Sequence, residues 1–194
     1  MAGRKLAFER EVVLDKAMDL FWEKGYHATG LTELLERMGI KRQSLYNTFG
    51  NKHDLFLAAI AHYGATIVTN LESELLKPGS AIANIEAFFE RIAQNAGILG
   101  CRGCLVVNTM VELAPHDPQV AAEVERLCQQ VERAFEATLK QAIAEGDLPK
   151  DFDTKKIARY LYHIALGLNA RTKGIPNPDD LRDTLEIALA VLHP

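Results

Sequence analysis

At 194 residues, with 48% hydrophobic and 25% charged positions, the chain has the make-up of an ordinary globular protein large enough to bury a substantial core, which argues against disorder. Its formal charge of −4 argues against nucleic acid for the chain as a whole, yet the charge is unevenly spread. Residues 1–53 hold nine Lys/Arg against seven Asp/Glu, net +2, and residues 54–194 hold thirteen against nineteen, net −6, the balance of a mildly basic head on an acidic body.

The opening MAGRKLAFERE has positive charges but no apolar run behind them, and no uncharged stretch approaches the roughly 20 residues of a membrane span. Three cysteines make no disulfide framework. A cytoplasmic protein with free thiols and no membrane partner is expected.

A first helix is predicted from about Phe8 to Lys24, with Val13, Ala17, Leu20 and Phe21 at helical spacing and Gly25 closing it. Trp22 and Met18 lie beside that stripe and should pack against a neighbour. Thr29 or Gly30 caps the next helix, with Glu33 placed to bond back to the cap. Leu34, Leu35 and Met38 give that helix one apolar face, and Gly39 ends it because a left-handed terminal residue costs glycine nothing. Ile40 fills the corner. Arg42 to Thr48 then form a second short helix, anchored inward through Leu45 with Phe49 just beyond.

The outward side chains of that second helix are Arg42, Gln43, Tyr46, Asn47 and Thr48, a set without a carboxylate. In a helix-turn-helix the second helix enters the major groove of DNA, where Arg reads guanine edges, Gln reads adenine edges and hydroxyls bond phosphates. The residues also suit a helical hairpin whose polar face is merely solvated. Both readings stand on the pattern alone.

Asn51 is a good cap for a fourth helix, with Asp54 in its first turn, and Leu55, Phe56, Ala59, Ile60 and Tyr63 carry an apolar face toward Leu75 before Lys77, Pro78 and Gly79 break it. This helix joins head to body. Ser80 caps a fifth helix that bears Ile82, Ile85, Phe88, Phe89 and Ile92 and ends near Gly97. A glycine-rich bend, GILGCRGC, leads into LVVNTMVELA, a short and nearly uncharged helix that should be buried on most sides. Asp117 and Pro118 start a long helix to about Glu145, stopped by Gly146, and Asp153 starts the next. Asn177 and Pro178 start the last, which bears Leu181, Leu185, Ile187, Ala188, Leu189 and Val191. The total is nine helices and no strand, an all-α fold.

Leu161, Ala165, Leu168, Leu185, Leu189 and Leu192 give the last two helices apolar faces wider than a two-helix hairpin can cover. A second copy of the pair would bury them in a symmetric four-helix seam. The competing expectation is that they close the body's own core.

Chemistry is sparse. Cys101 and Cys104 have the spacing of half a zinc site or of a thioredoxin-like motif, but there is no second cysteine pair, the six histidines lack metal spacing, and no strand pattern surrounds them. Neither a metal nor a cofactor is expected. A small thiol enzyme using Cys101 and Cys104 on an all-helical scaffold is the alternative to a DNA reader. Asn108, Thr109, Tyr160, His163 and Asn169 are polar groups in apolar segments, suited either to orienting a ligand in a cavity or to satisfied places in the core. Cys128, between Leu127 and Val131, reads as core.

Three stretches, VLDKAMDLFWEKGY, Thr29 to Gly39 and LYNTFGNKHDL, together resemble the DNA-binding head of the TetR family of transcriptional regulators, most specifically in Leu45, Tyr46, Phe49, Lys52 and Leu55. The body from Gly100, especially GCLVVNTMVELA, is more loosely similar to a branch of electrophile- and copper-responsive repressors. The resemblance implies a head over residues 1–53, a body over 54–194, a homodimer joined through the last two helices, an effector cavity in each body and a double-stranded DNA operator.

Carried over by position, Arg42 and Gln43 fall where the family reads bases, and Tyr46, Thr48 and Lys52 where it holds phosphates. Thr29 and Gly30 set the start of the second helix against the DNA backbone, and Asn47 completes the outward face. The family often has Ser or Thr at the cap of the recognition helix, whereas Lys41 stands here, so a phosphate contact is expected of it instead. Gly103 and Cys104 carry the likeness to the electrophile-responsive branch. Arg102 and a helix N-terminus would favour the thiolate of Cys104, and Lys173 is a second cation that the family's fold would bring near. A packed, inert thiol is the other reading.

Overall fold

The structure, a computed structural model, describes residues 9–95, 102–174 and 177–194. Among these residues there are nine α-helices, one short 3-10 turn over Ala190–Leu192, and no strand. The helices are α1 Arg10–Lys24, α2 Leu31–Met38, α3 Arg42–Phe49, α4 Lys52–Leu75, α5 Ala81–Asn95, α6 Leu105–Glu112, α7 Pro118–Glu145, α8 Thr154–Thr172 and α9 Pro178–Leu189.

Most boundaries follow the capping chemistry. Asn51 Oδ1 accepts from the His53 and Asp54 amides at 2.7 and 3.1 Å while Asp54 Oδ2 accepts from the Asn51 amide at 3.0 Å, a reciprocal box that starts α4. Asp117 Oδ1 takes the Gln119 and Val120 amides at 3.0 and 3.1 Å ahead of α7, and Asn177 takes the Asp179 amide at 3.1 Å ahead of α9. Gly39 closes α2 at φ 70°, left-handed backbone that any Cβ would strain. The expected box at Gly30 and Glu33 is absent. Glu33 pairs with Lys24 instead, and the Thr29 hydroxyl donates to the Gly25 carbonyl at 2.6 Å.

Helices α1 to α3 close over Val13, Ala17, Leu20, Phe21, Leu34, Met38, Leu45 and Phe49, all buried. From there α4 leads into the body, its Phe56 ring edge-on to Phe21 and Tyr26 at 4.9 Å each. In the body, α7 packs against α4, α5 and α8, with Phe89 stacked on Phe135 and Phe88 edge-on to both where α5 meets α7. A single apolar cluster runs from Val13 to Leu192 across the boundary expected at residue 53.

One expectation is corrected here. Leu161, Ala165, Leu168, Leu185 and Leu192 are buried inside one protomer, and Leu189 is half-buried, because α9 packs on α5 as well as on α8 and spends its inner face there. Among the described residues, the large apolar side chains left exposed on this pair are Ile187, 77% exposed, and Tyr160, 37% exposed. In α6, Leu105, Val106, Val107 and Thr109 are buried, Asn108, Met110 and Glu112 are half-buried and Val111 is 76% exposed, so that helix is covered on most sides, as expected, and open at Val111. Among the described residues no helix is long and apolar enough to cross a membrane.

Candidate nucleic-acid interface and body cavity

On α3, Leu45 and Phe49 turn inward while Arg42, Gln43, Tyr46 and Asn47 are exposed on the opposite face. Gln43 Nε2 donates to Asn47 Oδ1 at 2.9 Å, one turn on, so the two amides hold each other in a fixed orientation on that face. Lys41 is exposed at the cap of α3, and no side chain caps either α2 or α3. Their first-turn amides are therefore free to bond an anion, and the helix dipole favours one there.

Three residues expected at the interface sit differently. Thr29 is 1% exposed with its hydroxyl spent on the Gly25 carbonyl, so only backbone beside Gly30 remains for DNA. The Thr48 hydroxyl is buried and has no hydrogen-bond partner among the described residues, and it therefore does not belong to the outward set. Lys52 is half-buried, its Nζ donating to the Tyr26 carbonyl at 2.6 Å and lying 4.2 Å from the centre of the Tyr26 ring. Burial lowers the pKa of this lysine. It holds the turn after α1 in place from below.

The body holds a cavity of about 440 Å³, partly open to solvent, between α4, α5, α6, α7 and α8. Ile67, Leu71, Phe88, Val106, Leu127 and Leu166 give it apolar walls, and its polar groups include Tyr63, Tyr162, Cys104, Asn169 and the Arg91–Glu74 pair. That pair is bidentate, with both N···O distances 2.7 Å. Cys104 is half-buried at the N-cap of α6, and the Tyr63 hydroxyl donates to its Sγ at 3.6 Å. Tyr162 donates to Cys128 Sγ at 2.8 Å. Burial, reinforced by the neighbouring cysteine, pushes the pKa of both tyrosines far up, so they are neutral donors throughout the physiological range. Burial also pushes the Cys128 thiol up.

Of the residues expected at an effector site, Cys104 and Asn169 line this cavity. Asn108 and Lys173 line a neighbouring cleft of about 430 Å³ between α1, α6 and α8, where Lys173 Nζ donates to Asn108 Oδ1 at 3.3 Å. Asn108 Nδ2 in turn donates to the Arg102 carbonyl at 3.0 Å and braces the turn ahead of Cys104. Tyr160 and His163 are exposed on the outer side of α8, and Cys101 lies outside the described residues. The aromatic residue that reaches the cavity is Tyr162, two positions from Tyr160 and so about 200° round the helix. Arg102 is also engaged elsewhere: its guanidinium lies 4.1 Å from the centre of the Trp22 ring and bonds Asp19 Oδ1 at 3.2 Å. Among the described residues no group of three or more His, Cys, Asp or Glu is placed to hold a metal ion.

The chain matches the family model for bacterial regulatory proteins of the tetR family over residues 13–59, and the model for the tetracyclin repressor-like C-terminal domain over residues 81–187. It is 37% identical to the HTH-type transcriptional regulator YezE of Bacillus subtilis, covering 98% of this chain and 99% of that one. It is 31% identical to the HTH-type transcriptional repressor ComR of Escherichia coli, covering 86% of this chain and 80% of the relative. Among solved structures it superposes on a cysteine mutant of the TetR family regulator CifR, complexed with 26-base-pair double-strand operator DNA, with TM-score 0.83 and 30% identity over 96% of this chain and 98% of that one. With a carboxylate-free α3 face, uncapped helix ends beside it and family models matching both head and body, the chain belongs to the TetR family and is a DNA-binding transcriptional regulator.

Proposed function

We propose that the protein is a homodimeric repressor that reads a two-fold operator through α3 and lets go when an effector occupies or modifies the body cavity. Residues 1–53 form the reading head and residues 54–194 the body that senses and dimerises, working in the cytoplasm where Cys104 stays reduced. Arg42 and Gln43 contact base edges, while Tyr46, Lys41 and the open amides of α2 and α3 hold phosphates. Lys52 acts one step back, by fixing the turn that α2 follows. Ile187 and Tyr160, the exposed apolar groups of α8 and α9, lie in the seam between copies. The seam sets two heads about 34 Å apart, the spacing of successive major grooves.

The observation that carries the effector reading is the position of Cys104, with its sulfur in the wall of a largely apolar cavity and also at the N-cap of α6. A conjugated carbonyl compound of modest size fits that cavity, where the neutral Tyr63 hydroxyl can turn from the Cys104 sulfur to donate to its oxygen. In the covalent case the Cys104 sulfur adds to the terminal alkene carbon, the alkene electron pair shifts toward the carbonyl, and the thiol proton ends on the neighbouring carbon. The adduct is larger than the thiol and displaces α6 from its packing.

The test uses a duplex that the parent protein selects from a random pool. Fluorescence anisotropy should show release of the parent protein by N-ethylmaleimide and retention by Cys104→Ser, with Cys128→Ser still released. Release of Cys104→Ser as readily as the parent would show that covalent sensing at Cys104 is wrong and that the thiol only packs.

A further inference from the structure

Helix α6 begins at the cavity and ends on the head. At its start, the Gly103 carbonyl accepts from Trp22 Nε1 of α1 at 3.1 Å, and Cys104 follows in the cavity wall. At its end, the Glu112 carboxylate accepts two backbone amides from the turn between α1 and α2: Tyr26 to Oε2 at 3.3 Å and His27 to Oε1 at 3.0 Å. The approach is close enough that it depends on the residue before the turn. A Cβ added at Gly25, where φ is +83°, would stand 2.7 Å from Glu112 Oε2.

The same turn is held from its other side. Lys52 Nζ of α4 donates to the Tyr26 carbonyl at 2.6 Å, so residue Tyr26 has its amide on a carboxylate from the body and its carbonyl on an ammonium from the first turn of α4. Thr29, two residues beyond His27, is buried, and Gly30 then starts α2. A shift of Glu112 is therefore passed along very few bonds to the helix end that faces the operator backbone. Five residues further on from Glu112, Asp117 Oδ2 meets His53 Nε2 of α4 at 2.6 Å, which fixes the far end of the same segment.

We propose that Glu112 is the positioning residue of the DNA-reading head: its carboxylate locks the Tyr26–His27 turn while α6 is seated, and its withdrawal frees α2 and α3 from their groove setting. This rests on the effector reading for what moves α6, but not for the lock itself. The carboxylate has no other hydrogen bond among the described residues, and one rigid helix of eight residues separates it from the N-cap thiol. Because the lock is made by an acceptor on two amides, Glu112→Gln keeps the volume but replaces one acceptor by an NH2 group that cannot take an N–H.

The experiment measures three things on the full chain: affinity for the parent-selected duplex, the same after N-ethylmaleimide, and hydrogen exchange at the Tyr26 and His27 amides. Glu112→Gln should bind the untreated duplex about tenfold more weakly with an unchanged melting temperature, exchange both amides faster, and lose little further affinity on alkylation. In the parent, alkylation should speed exchange at the same two amides. Binding by Glu112→Gln within about twofold of the parent, with both amides as protected as before, overturns the proposal. If the parent is not released by the reagent, the covalent effector reading fails, while the lock is still judged by the affinity and exchange of untreated Glu112→Gln.

Discussion

A charge at Ile187 and a charge at Leu185 should have opposite consequences, although the two residues are neighbours on α9. In one protomer Ile187 is 77% exposed, so Glu there changes the fold's own stability by no more than about 0.5 kcal/mol. In the seam, each isoleucine removed from water is worth about 1.5–3 kcal/mol, and symmetry changes both copies at once. A loss of about 3–6 kcal/mol raises the dimer dissociation constant about 150- to 20,000-fold, before any cost of burying the carboxylate. Leu185 is 4% exposed within the protomer itself, and Glu there costs several kcal/mol of folding stability, lowering the melting temperature by about 10 °C or more. Sedimentation velocity at micromolar concentration, paired with thermal melting, separates the two. Ile187→Glu should be a folded monomer with the parent's melting behaviour after correction for dimer linkage. An Ile187→Glu protein that remains dimeric at that concentration refutes the placement of the seam.

Asp117→Ala removes the cap of α7 and the partner of His53, and should cost about 1 kcal/mol, a fall of about 2–4 °C in melting temperature. The Val120 amide holds the Asp117 carboxyl below the usual aspartate range, so its contribution is present above the unfolded-state pKa and fades as pH falls through the lowered value. Melting curves of parent and variant should therefore converge in acid, and a gap that persists there contradicts the assignment. In a Cys101→Ser background a thiol reagent should titrate Cys104 in the native protein but reach Cys128 only after unfolding, because burial pushes the Cys128 thiol up. Equal rates at the two thiols would show that the cavity wall gives Cys104 no special access.

Helix order could be read from the sequence because the punctuation is local: Gly39, the Asn51–Asp54 box, and the Asp117–Pro118 and Asn177–Pro178 starts each act within one turn. The outward face of α3 was legible for the same reason, since Leu45 and Phe49 fix its phase. Thr48 broke that reading because it stands three residues after Leu45, about 60° from it round the helix, and so flanks the inward face, where its hydroxyl is buried. Tyr160, Leu161 and Tyr162 are consecutive on α8, and an apolar face that wide does not say which aromatic ring meets the cavity. Likewise, periodicity marked Leu161 and Leu185 as buried but carried no information on whether a second copy or α5 covers them. Glu112 had no sequence signal at all: its role depends on a contact 85 and 86 residues away along the chain.

The central claim, that α3 reads sequence, is tested most directly by the affinity of Arg42→Ala for the parent-selected duplex and for a random duplex of equal length, each measured across a salt series. The exposed position of Arg42 beside the oriented Gln43–Asn47 amides predicts a loss of about 1–3 kcal/mol on the selected duplex that is largely absent on the random one. Lys41→Ala serves as the contrast, weakening both duplexes alike and reducing the salt slope by about 1. An equal loss for Arg42→Ala on both duplexes would mean that the side chain only holds phosphate, and the assignment of α3 as the base-reading helix through this residue would be wrong.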